Sequence, residues 1–174
     1  MRFIKYLLLA AFTSTALSLD PNRPATYLQT VTNGAKTIQQ ALENYNGGFI
    51  ESVKLASTIQ KAHEASVATR KIMEGYERFS DADGRHTIDE YHKLHPHVID
   101  GLRIVEEKAA VFHSAGYMDI AQKLLLGWHA EKNKLKDVMK EKLLEGHFDE
   151  IAEYTALVDE AFVSSINVFQ NVGI

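Results

Sequence analysis

Cysteine is absent from this sequence of 174 residues, and proline occurs only three times. Without cysteine there can be no disulfide, no thiol nucleophile and no thiolate metal site. A chain without covalent cross-links has to be stable through the packing of its core, which favours long elements over a small disulfide-stapled scaffold. Because prolines are so few, long uninterrupted helices are compatible with most of the chain.

An excess of basic residues is also lacking, because 19 Lys and Arg stand against 23 Asp and Glu. The basic residues form no cluster, which argues against nucleic acid or an anionic membrane as a partner. The sequence contains no Gly-x-Ser-x-Gly, His-Glu-x-x-His or phosphate-binding glycine motif. We therefore predict a protein that is not an enzyme, with no catalytic residues, no cofactor and no metal.

The first residues have the pattern of a secretory signal peptide rather than of a folded element. Arg2 and Lys5 precede the short apolar run 6–12, and the small residues Ala16 and Ser18 fit a cleavage site. The run is too short to span a bilayer, and no later stretch is apolar enough to be a transmembrane segment. We divide the chain into a signal peptide at 1–18, a polar arm at 19–25 and a single helical domain at 26–170.

The two adjacent glycines Gly47 and Gly48 separate two long amphipathic patterns. Apolar residues recur three and four positions apart from Leu28 to Tyr45, and a second such pattern starts at Phe49. Gly47 lacks a Cβ and can adopt the left-handed conformation that ends many helices. The spacing predicts two helices that fold back on each other at this point.

The rest of the chain continues the helical period, and no stretch alternates with period two. Thr87 and Glu90 fit a capping box, which predicts the start of a third helix at this threonine. Pro96 lies inside that helix and predicts a kink or restart. Two more helices are predicted, from 117 to a closing glycine at 146, and over 148–169. The predicted fold class is all-α, an antiparallel bundle of about five amphipathic helices with short loops.

Small side chains and aromatic side chains each admit two interpretations. The small residues of the second helix either permit close helix packing, which we favour, or leave volume inside the bundle. The aromatic residues gather near helix ends, where they either plug the core or frame the mouths of an apolar cavity. The small residues in question are Ala56, Ala62, Ala65, Ser66, Ala68 and Thr69.

Histidines are concentrated in one segment, with His86, His92, His95 and His97 close together. His92 and His95 are three residues apart, a spacing that can bring two ligands to one face of a helix. Surface and capping roles are the more ordinary explanation, because His97 falls on a different helical face. A weak divalent-metal site in the segment from His86 to His97 remains one alternative.

Four features of the chain follow one another in an order that carries a family resemblance. They are the signal peptide before a cysteine-free helical region, Ile38-x-x-Ala41-Leu42-x-x-Tyr45-Asn46-Gly47-Gly48, Val98-x-x-x-Leu102 leading to Lys108-Ala109-x-x-Phe112-x-x-Ala115-Gly116, and Ala161-Phe162-x-x-x-Ile166-x-x-Phe169. With these features, over about residues 26–169, the chain resembles the fungal hydrophobic surface-binding proteins, which include the cell wall galactomannoproteins.

This resemblance implies a secreted, extracellular and non-enzymatic helical bundle, with association with the cell wall as a second location. It implies that the partners are hydrophobic surfaces, fatty acids or other lipids. Cell-wall polysaccharide and secreted hydrolases are further partners that it suggests. Two other functions stay open: a structural or host-facing cell-wall mannoprotein with a simply packed core, and the weak metal binder described above.

If the bundle encloses a lipid, its walls should be the apolar faces of all five helices. The same residues would form a filled core in the structural alternative. The candidate cavity walls are Val31, Ile38, Leu42, Ile59, Val98, Leu102, Leu124, Trp128, Val158 and Phe162.

Overall fold

A computed structural model describes residues 24–171, and this part of the chain consists of α-helices joined by short connections. The predicted signal peptide lies outside the described residues. None of the described helices has both the length and the hydropathy that crossing a membrane requires. The prediction of an all-α bundle is confirmed, with five long helices and one short one. They are α1 (Pro24–Glu43), α2 (Phe49–Glu74), α3 (Asp81–Glu107), α4 (Ala109–Ser114), α5 (Met118–Lys142) and α6 (Glu145–Asn171).

The five long helices close a ring around the core. Helix α1 packs on α2 and α3, α3 packs on α6, α6 on α5, and α5 on α2. Helices α1 and α2 are antiparallel, because Thr69 Oγ1 donates to the carbonyl oxygen of Tyr27 at one end and Tyr45 pairs with Ser52 at the other. Consecutive long helices alternate in direction, so α2 and α5 run parallel to each other as neighbours in the ring.

The predicted glycine turn forms the corner between α1 and α2. Gly47 and Gly48 both have positive φ, 92° and 91°, which confirms that the backbone here enters the region that favours glycine. Lys108 Nζ donates to the carbonyl oxygens of Glu43 and Tyr45. These bonds satisfy carbonyl groups at the end of α1 and fix the corner to the junction of α3 and α4.

Helix α3 begins earlier than the capping box predicted. Ser80 is its N-cap, and its hydroxyl accepts a hydrogen bond of 3.1 Å from the backbone N–H of Asp83. Thr87 lies within the helix and is fully buried, with its hydroxyl donating to the Asp83 carbonyl oxygen at 2.7 Å. Glu90 pairs with Lys93 instead of reaching back to a cap. The capping box was therefore wrong, because an earlier serine supplies the cap.

Two other helix boundaries differ from the predictions. Pro96 does not restart the helix, since α3 runs through it, and the break falls at Lys108 between α3 and α4. Pro96 has no N–H to donate to the carbonyl group four residues earlier, and its exposed position lets water reach that carbonyl group. Gly146 does not close α5, which ends at Lys142 because Leu143 is extended, with ψ of 153°. Gly146 belongs to the first turn of α6.

The small residues of α2 serve both of the purposes that the sequence left open. A Cβ built on Gly34 of α1 would lie only 3.1 Å from the Ala62 Cβ, so α1 and α2 approach closely there. Ser66 and Thr69 are buried farther along the same helix. Ala56, by contrast, faces open volume inside the bundle. Close packing therefore characterises the C-terminal half of α2, and the N-terminal half borders unfilled volume.

The buried apolar residues form two clusters, one toward each end of the bundle. The first cluster fills its end with large side chains, and the second surrounds a cavity. The first includes Leu28, Val31, Met73, Phe79, Ile88, Tyr91, Leu94, Leu135, Met139, Leu143 and Ile151. The second includes Leu42, Tyr45, Leu55, Leu102, Val105, Phe112, Leu125, Val158, Phe162 and Phe169.

Candidate functional site

An apolar cavity of about 230 Å³ occupies the end of the bundle that contains the glycine turn. Empty volumes larger than a water molecule are uncommon in close-packed proteins, and an engineered apolar cavity of about 150 Å³ is already large enough to bind benzene. All five long helices contribute to the lining. The lining residues are Ala35, Ile38, Leu42, Ser52, Val53, Leu55, Ala56, Ile59, His97, Val98, Gly101, Leu102, Val105, Phe112, Tyr117, Ile120, Ala121, Leu124, Leu125, Trp128 and Phe162.

The cavity exists because four helices each place a small residue against the same space. These residues are Ala35 on α1, Ala56 on α2, Gly101 on α3 and Ala121 on α5. Gly101 is buried, yet a Cβ added to it would meet no atom within 4 Å. A buried glycine in the interior of a helix costs about 1 kcal/mol relative to alanine. The sequence therefore accepts a local cost at a position that borders the cavity.

The structure brings eight of the ten sequence-predicted wall residues together at the cavity. Val31 packs in the filled cluster at the other end of the bundle, and Val158 is buried without reaching the lining. Helical periodicity identifies which face of a helix points inward, but it does not indicate at which position along the bundle axis the core is unfilled. The eight are Ile38, Leu42, Ile59, Val98, Leu102, Leu124, Trp128 and Phe162, and their contact with a ligand remains a prediction.

The residues that sequence reasoning missed are mainly the small ones and those at the cavity mouth. Ala35 and Ala121 lie in the apolar periodic patterns but have small side chains, and Ser52 and His97 are polar residues on helix faces that also carry apolar residues. Gly101 gave the clearest available indication, because a glycine inside a strongly periodic helix requires a packing or functional reason.

The cavity reaches the surface between the first turns of α2 and α5. Val53 and Ile120 both line it while being 52% and 50% exposed. On the same face of α2, one turn earlier, Phe49 is 73% exposed and Ile50 is 68% exposed. Two exposed apolar side chains therefore line the opening, and two more lie one turn away on the same face of α2. We call these four residues the mouth rim (Phe49, Ile50, Val53 and Ile120).

Helices α2 and α5 lie side by side along a line of contact that we call the α2–α5 seam. A buried ion pair closes the end of this seam that is farthest from the opening. Arg70 Nε lies 2.6 Å from Glu131 Oε1, and both side chains are shielded from solvent, with 11% and 4% exposure. The hydrogen bond to Glu131 is the main cause that raises the pKa of Arg70. Helices α2 and α5 are therefore joined firmly beyond the cavity, and only their N-terminal halves leave an opening.

Few polar side chains line the cavity, and two of them, Ser52 and His97, already have hydrogen-bond partners. Ser52 Oγ donates to the Gly48 carbonyl oxygen at 2.7 Å and pairs with the Tyr45 hydroxyl at 2.8 Å. His97 Nδ1 lies 2.8 Å from Gln39 Oε1 on α1. These bonds tie the polar groups to the bundle wall and leave the lining predominantly apolar.

Trp128 also contributes to the lining of the cavity. Its indole Nε1 is buried and has no hydrogen-bond partner within the described part of the chain. An indole nitrogen can only donate, and leaving a buried donor unpaired costs about 1–3 kcal/mol. The neighbouring ring of His63 stands edge-on to the indole at 5.4 Å between centroids.

The histidines His92, His95 and His97 have different neighbours in the structure. His92 and His95 both pack against the ring of Tyr154, and burial lowers the pKa of His95. His97 faces α1 and the cavity instead of the other two. Residues 24–171 contain no group of three or more His, Asp or Glu side chains arranged to hold a metal ion. His92, His95 and His97 therefore contribute to contacts between helices.

Comparison with known proteins gives one family match. Residues 25–141 match the model of the hydrophobic surface binding protein A family. The matched region extends from the start of α1 almost to the end of α5, so it includes most of the cavity lining. No curated protein matches the chain significantly.

Several solved structures share this helical fold. AFMP4P in complex with palmitic acid has a TM-score of 0.80 at 20% identity, covering 84% of this chain and 97% of that chain. Ligand binding domain 1 of the Penicillium marneffei MP1 protein, complexed with arachidonic acids, has a TM-score of 0.79 at 14% identity, covering 87% and 99%. Ligand binding domain 2 of that protein, in complex with arachidonic acids, has a TM-score of 0.79 at 13% identity, covering 90% and 98%.

Proposed function

The chain belongs to the hydrophobic surface binding protein A family, and we propose that it is a non-enzymatic binder of fatty-acid-like lipids. The acyl chain lies in the cavity between the five long helices. The observation that carries this proposal is an apolar space of about 230 Å³ that opens to the surface at one end only of the α2–α5 seam. The same fold accommodates palmitic acid in AFMP4P and arachidonic acids in the Penicillium marneffei MP1 domains.

The chemistry of the lining supports a hydrocarbon ligand. Burial of apolar surface contributes about 25 cal/mol per Å², and an acyl chain presents apolar surface over nearly all of its length. No lysine or arginine lines the cavity, so it offers little to a highly charged ligand. Loss of ligand freedom on binding offsets part of the gain, which makes a preformed cavity favourable.

The mouth rim supports a second aspect of the same function, adsorption to hydrophobic surfaces. Its exposed apolar side chains would leave water on contact with an apolar surface, with the cavity opening directly behind them. We further propose that the protein is secreted, as the pattern of residues 1–18 and the family indicate, with the cell wall as an additional location.

A cavity-filling substitution tests the proposal. Gly101→Leu adds a side chain where a Cβ meets no neighbouring atom, so it should occupy the space proposed for the acyl chain. We expect affinity for a fluorescent fatty acid to fall at least about tenfold, a loss of about 1.4 kcal/mol. The melting temperature should be unchanged or higher, because leucine is a better helix former than glycine.

Gly127→Leu is the matched control, since Gly127 is exposed on α5 and also has no atom within 4 Å of an added Cβ. It should bind the fluorescent fatty acid like the wild-type protein. If delipidated wild-type protein takes up no fatty acid, or if both variants bind equally well, the proposal fails. The alternative of a structural cell-surface protein would then be preferred.

A further inference from the structure

We propose that the cavity selects medium-chain lipids, because it accommodates a hydrocarbon chain of about ten carbons and no more. This inference rests on the proposed function, since it concerns the ligand of the same cavity. The volume of the cavity gives a first measure. An apolar cavity of about 150 Å³ binds benzene, which has six carbons, so in the same proportion about 230 Å³ holds about nine carbons.

The extent of the lining along the helices gives a second measure. The lining covers residues 52–59 of α2, 97–105 of α3 and 117–128 at the start of α5, which is about 10, 12 and 16 Å along the helix axes. An extended polypeptide advances about 1.2 Å per backbone bond, and an acyl chain is built from similar bonds. These lengths correspond to about 8–13 carbon–carbon bonds, in agreement with the volume.

Packed side chains close the inner end of the cavity. Ile59 is the last residue of α2 in the lining, and Trp128 is the last of α5. Directly beyond them, the ring of His63 contacts the indole, with 5.4 Å between centroids, and Ala62 approaches Gly34 closely. The filled cluster occupies the bundle beyond this level. A chain that enters at the mouth rim therefore ends at the level of Ile59 and Trp128.

The polar groups of the lining indicate that the methyl end of the lipid points inward. At the inner end, His97 Nδ1 is bonded to Gln39 Oε1 and Trp128 Nε1 is occluded, so neither nitrogen is available to a ligand. Among the described residues, no lysine or arginine lines the cavity, and moving a carboxylate from water into such a space is costly. The head group therefore stays at the opening, at the end of the lining that contains Ser52 and Tyr117.

A closed inner end makes affinity depend on chain length in a particular way. Each methylene group that is buried in the cavity raises affinity about fourfold. Carbons beyond the capacity of the cavity remain at the mouth rim, where water still reaches them, and add much less. The chain length at which the gain per methylene falls is called the length limit below.

The test uses saturated fatty acids with six to sixteen carbons. Each displaces a fluorescent lipid from the delipidated protein at pH 8, at concentrations below those at which the fatty acid aggregates. We expect affinity to rise about fourfold per methylene up to about ten carbons, and by less than about twofold per methylene beyond that. Gains that stay near fourfold up to sixteen carbons would overturn the proposal.

Ile59→Ala and Ile120→Ala make the same change at opposite ends of the cavity. Ile59→Ala removes three side-chain carbons at the closed inner end, so the length limit should move up by about two to three carbons. Ile120→Ala, at the opening, is the matched control and should leave the length limit unchanged. Trp128→Leu is a second variant at the inner end and should also move the limit to longer chains.

The outcomes separate this inference from the proposed function. If no fatty acid displaces the probe from wild-type protein, the proposed function fails and this inference fails with it. If the acids bind without a length limit near ten carbons, only the selection of chain length is refuted. If Ile59→Ala and Ile120→Ala move the limit equally, or if neither inner-end variant moves it, the assigned inner end is wrong. Circular dichroism establishes that each variant is folded, and the wild-type series decides the proposal without any variant.

Discussion

Individual glycines in this protein have three distinct physical roles. Gly47 supplies a positive φ at the corner between α1 and α2. Gly84 permits close packing, because a Cβ there would lie 2.3 Å from His147 Nδ1 on α6. Gly101 leaves space in the cavity. Of these three roles, only that of Gly47 was predicted from the sequence, since it depends on local backbone conformation.

The turn glycine gives a prediction about stability. Gly47→Ala should lower the free energy of unfolding by about 1–2 kcal/mol, because an alanine Cβ is disfavoured at φ of 92°. Gly127→Ala, in the interior of α5, should raise it by about 0.5–1 kcal/mol. Urea unfolding followed by circular dichroism measures both. Equal effects of the same sign would contradict the assigned role of Gly47.

A buried tyrosine gives a prediction about pH dependence. Burial raises the pKa of the Tyr91 phenol above its ordinary value. Above about pH 10 an unfolded tyrosine loses its proton while folded Tyr91 keeps it, so stability falls with rising pH by up to about 1.4 kcal/mol per unit. Tyr91→Phe lacks the group and should lose less stability between pH 10 and 11 than the wild-type protein.

The measurement is chemical unfolding of both proteins at pH 8, 9, 10 and 11. Because other groups titrate equally in the two proteins, only the difference between them is attributed to Tyr91. That difference should be constant from pH 8 to 9 and should change above pH 10. A constant difference over the whole range would contradict the raised pKa of this phenol.

At the scale of helices, the α2–α5 seam is open between the N-terminal halves of the two helices and closed farther along them. The buried pair of Arg70 and Glu131 joins the helices beyond the cavity, and the mouth rim lies where no such link exists. These two parallel neighbours come from distant parts of the sequence. Their pairing therefore decides where the cavity opens to the surface.

Removing the ion pair between Arg70 and Glu131 should lower the stability of the protein. Glu131→Ala removes the buried partner of Arg70, which keeps only its ion pair with the half-exposed Glu74, and should lower the free energy of unfolding by about 1–3 kcal/mol. The double variant Arg70→Met with Glu131→Leu replaces the pair by apolar side chains and should recover most of that loss. Thermal and urea unfolding test this. A double variant as unstable as Glu131→Ala would mean that loss of the ion pair itself, and not the loss of a buried partner for Arg70, causes the destabilisation.

At the scale of the whole molecule, one end presents apolar surface beside the cavity opening. Phe49 and Ile50 are the most exposed large apolar residues in the described part of the chain. Phe49→Ser with Ile50→Ser should reduce depletion of the protein onto polystyrene beads. Leu157→Ser with Val163→Ser, on α6 and outside the cavity lining, is the matched control and should adsorb like wild type.

If both double variants adsorb equally, adsorption is a general property of the surface and the mouth rim has no special part in it. If both lose adsorption equally, exposed apolar area alone decides. Circular dichroism before and after adsorption shows whether the folded bundle is retained in each case.

The sequence by itself determined the features that depend on local periodicity. The three- and four-residue spacing from Leu28 to Tyr45 defines one face of α1, and the glycines that follow allow only a turn. The all-α fold, the inward faces and the family followed from such patterns. Capping was less predictable, because Ser80 and Thr87 are both suitable caps and only packing buries one of them.

The tertiary structure alone decided which part of the bundle is filled and which is open. Val31 and Ile38 lie on the same face of α1, but the first packs in the filled cluster and the second lines the cavity. The difference arises because Ala35, Ala56, Gly101 and Ala121 come to one level from four helices. A cavity is volume that no neighbour fills, so its position depends on how distant segments align along the bundle axis, which no single helical pattern contains.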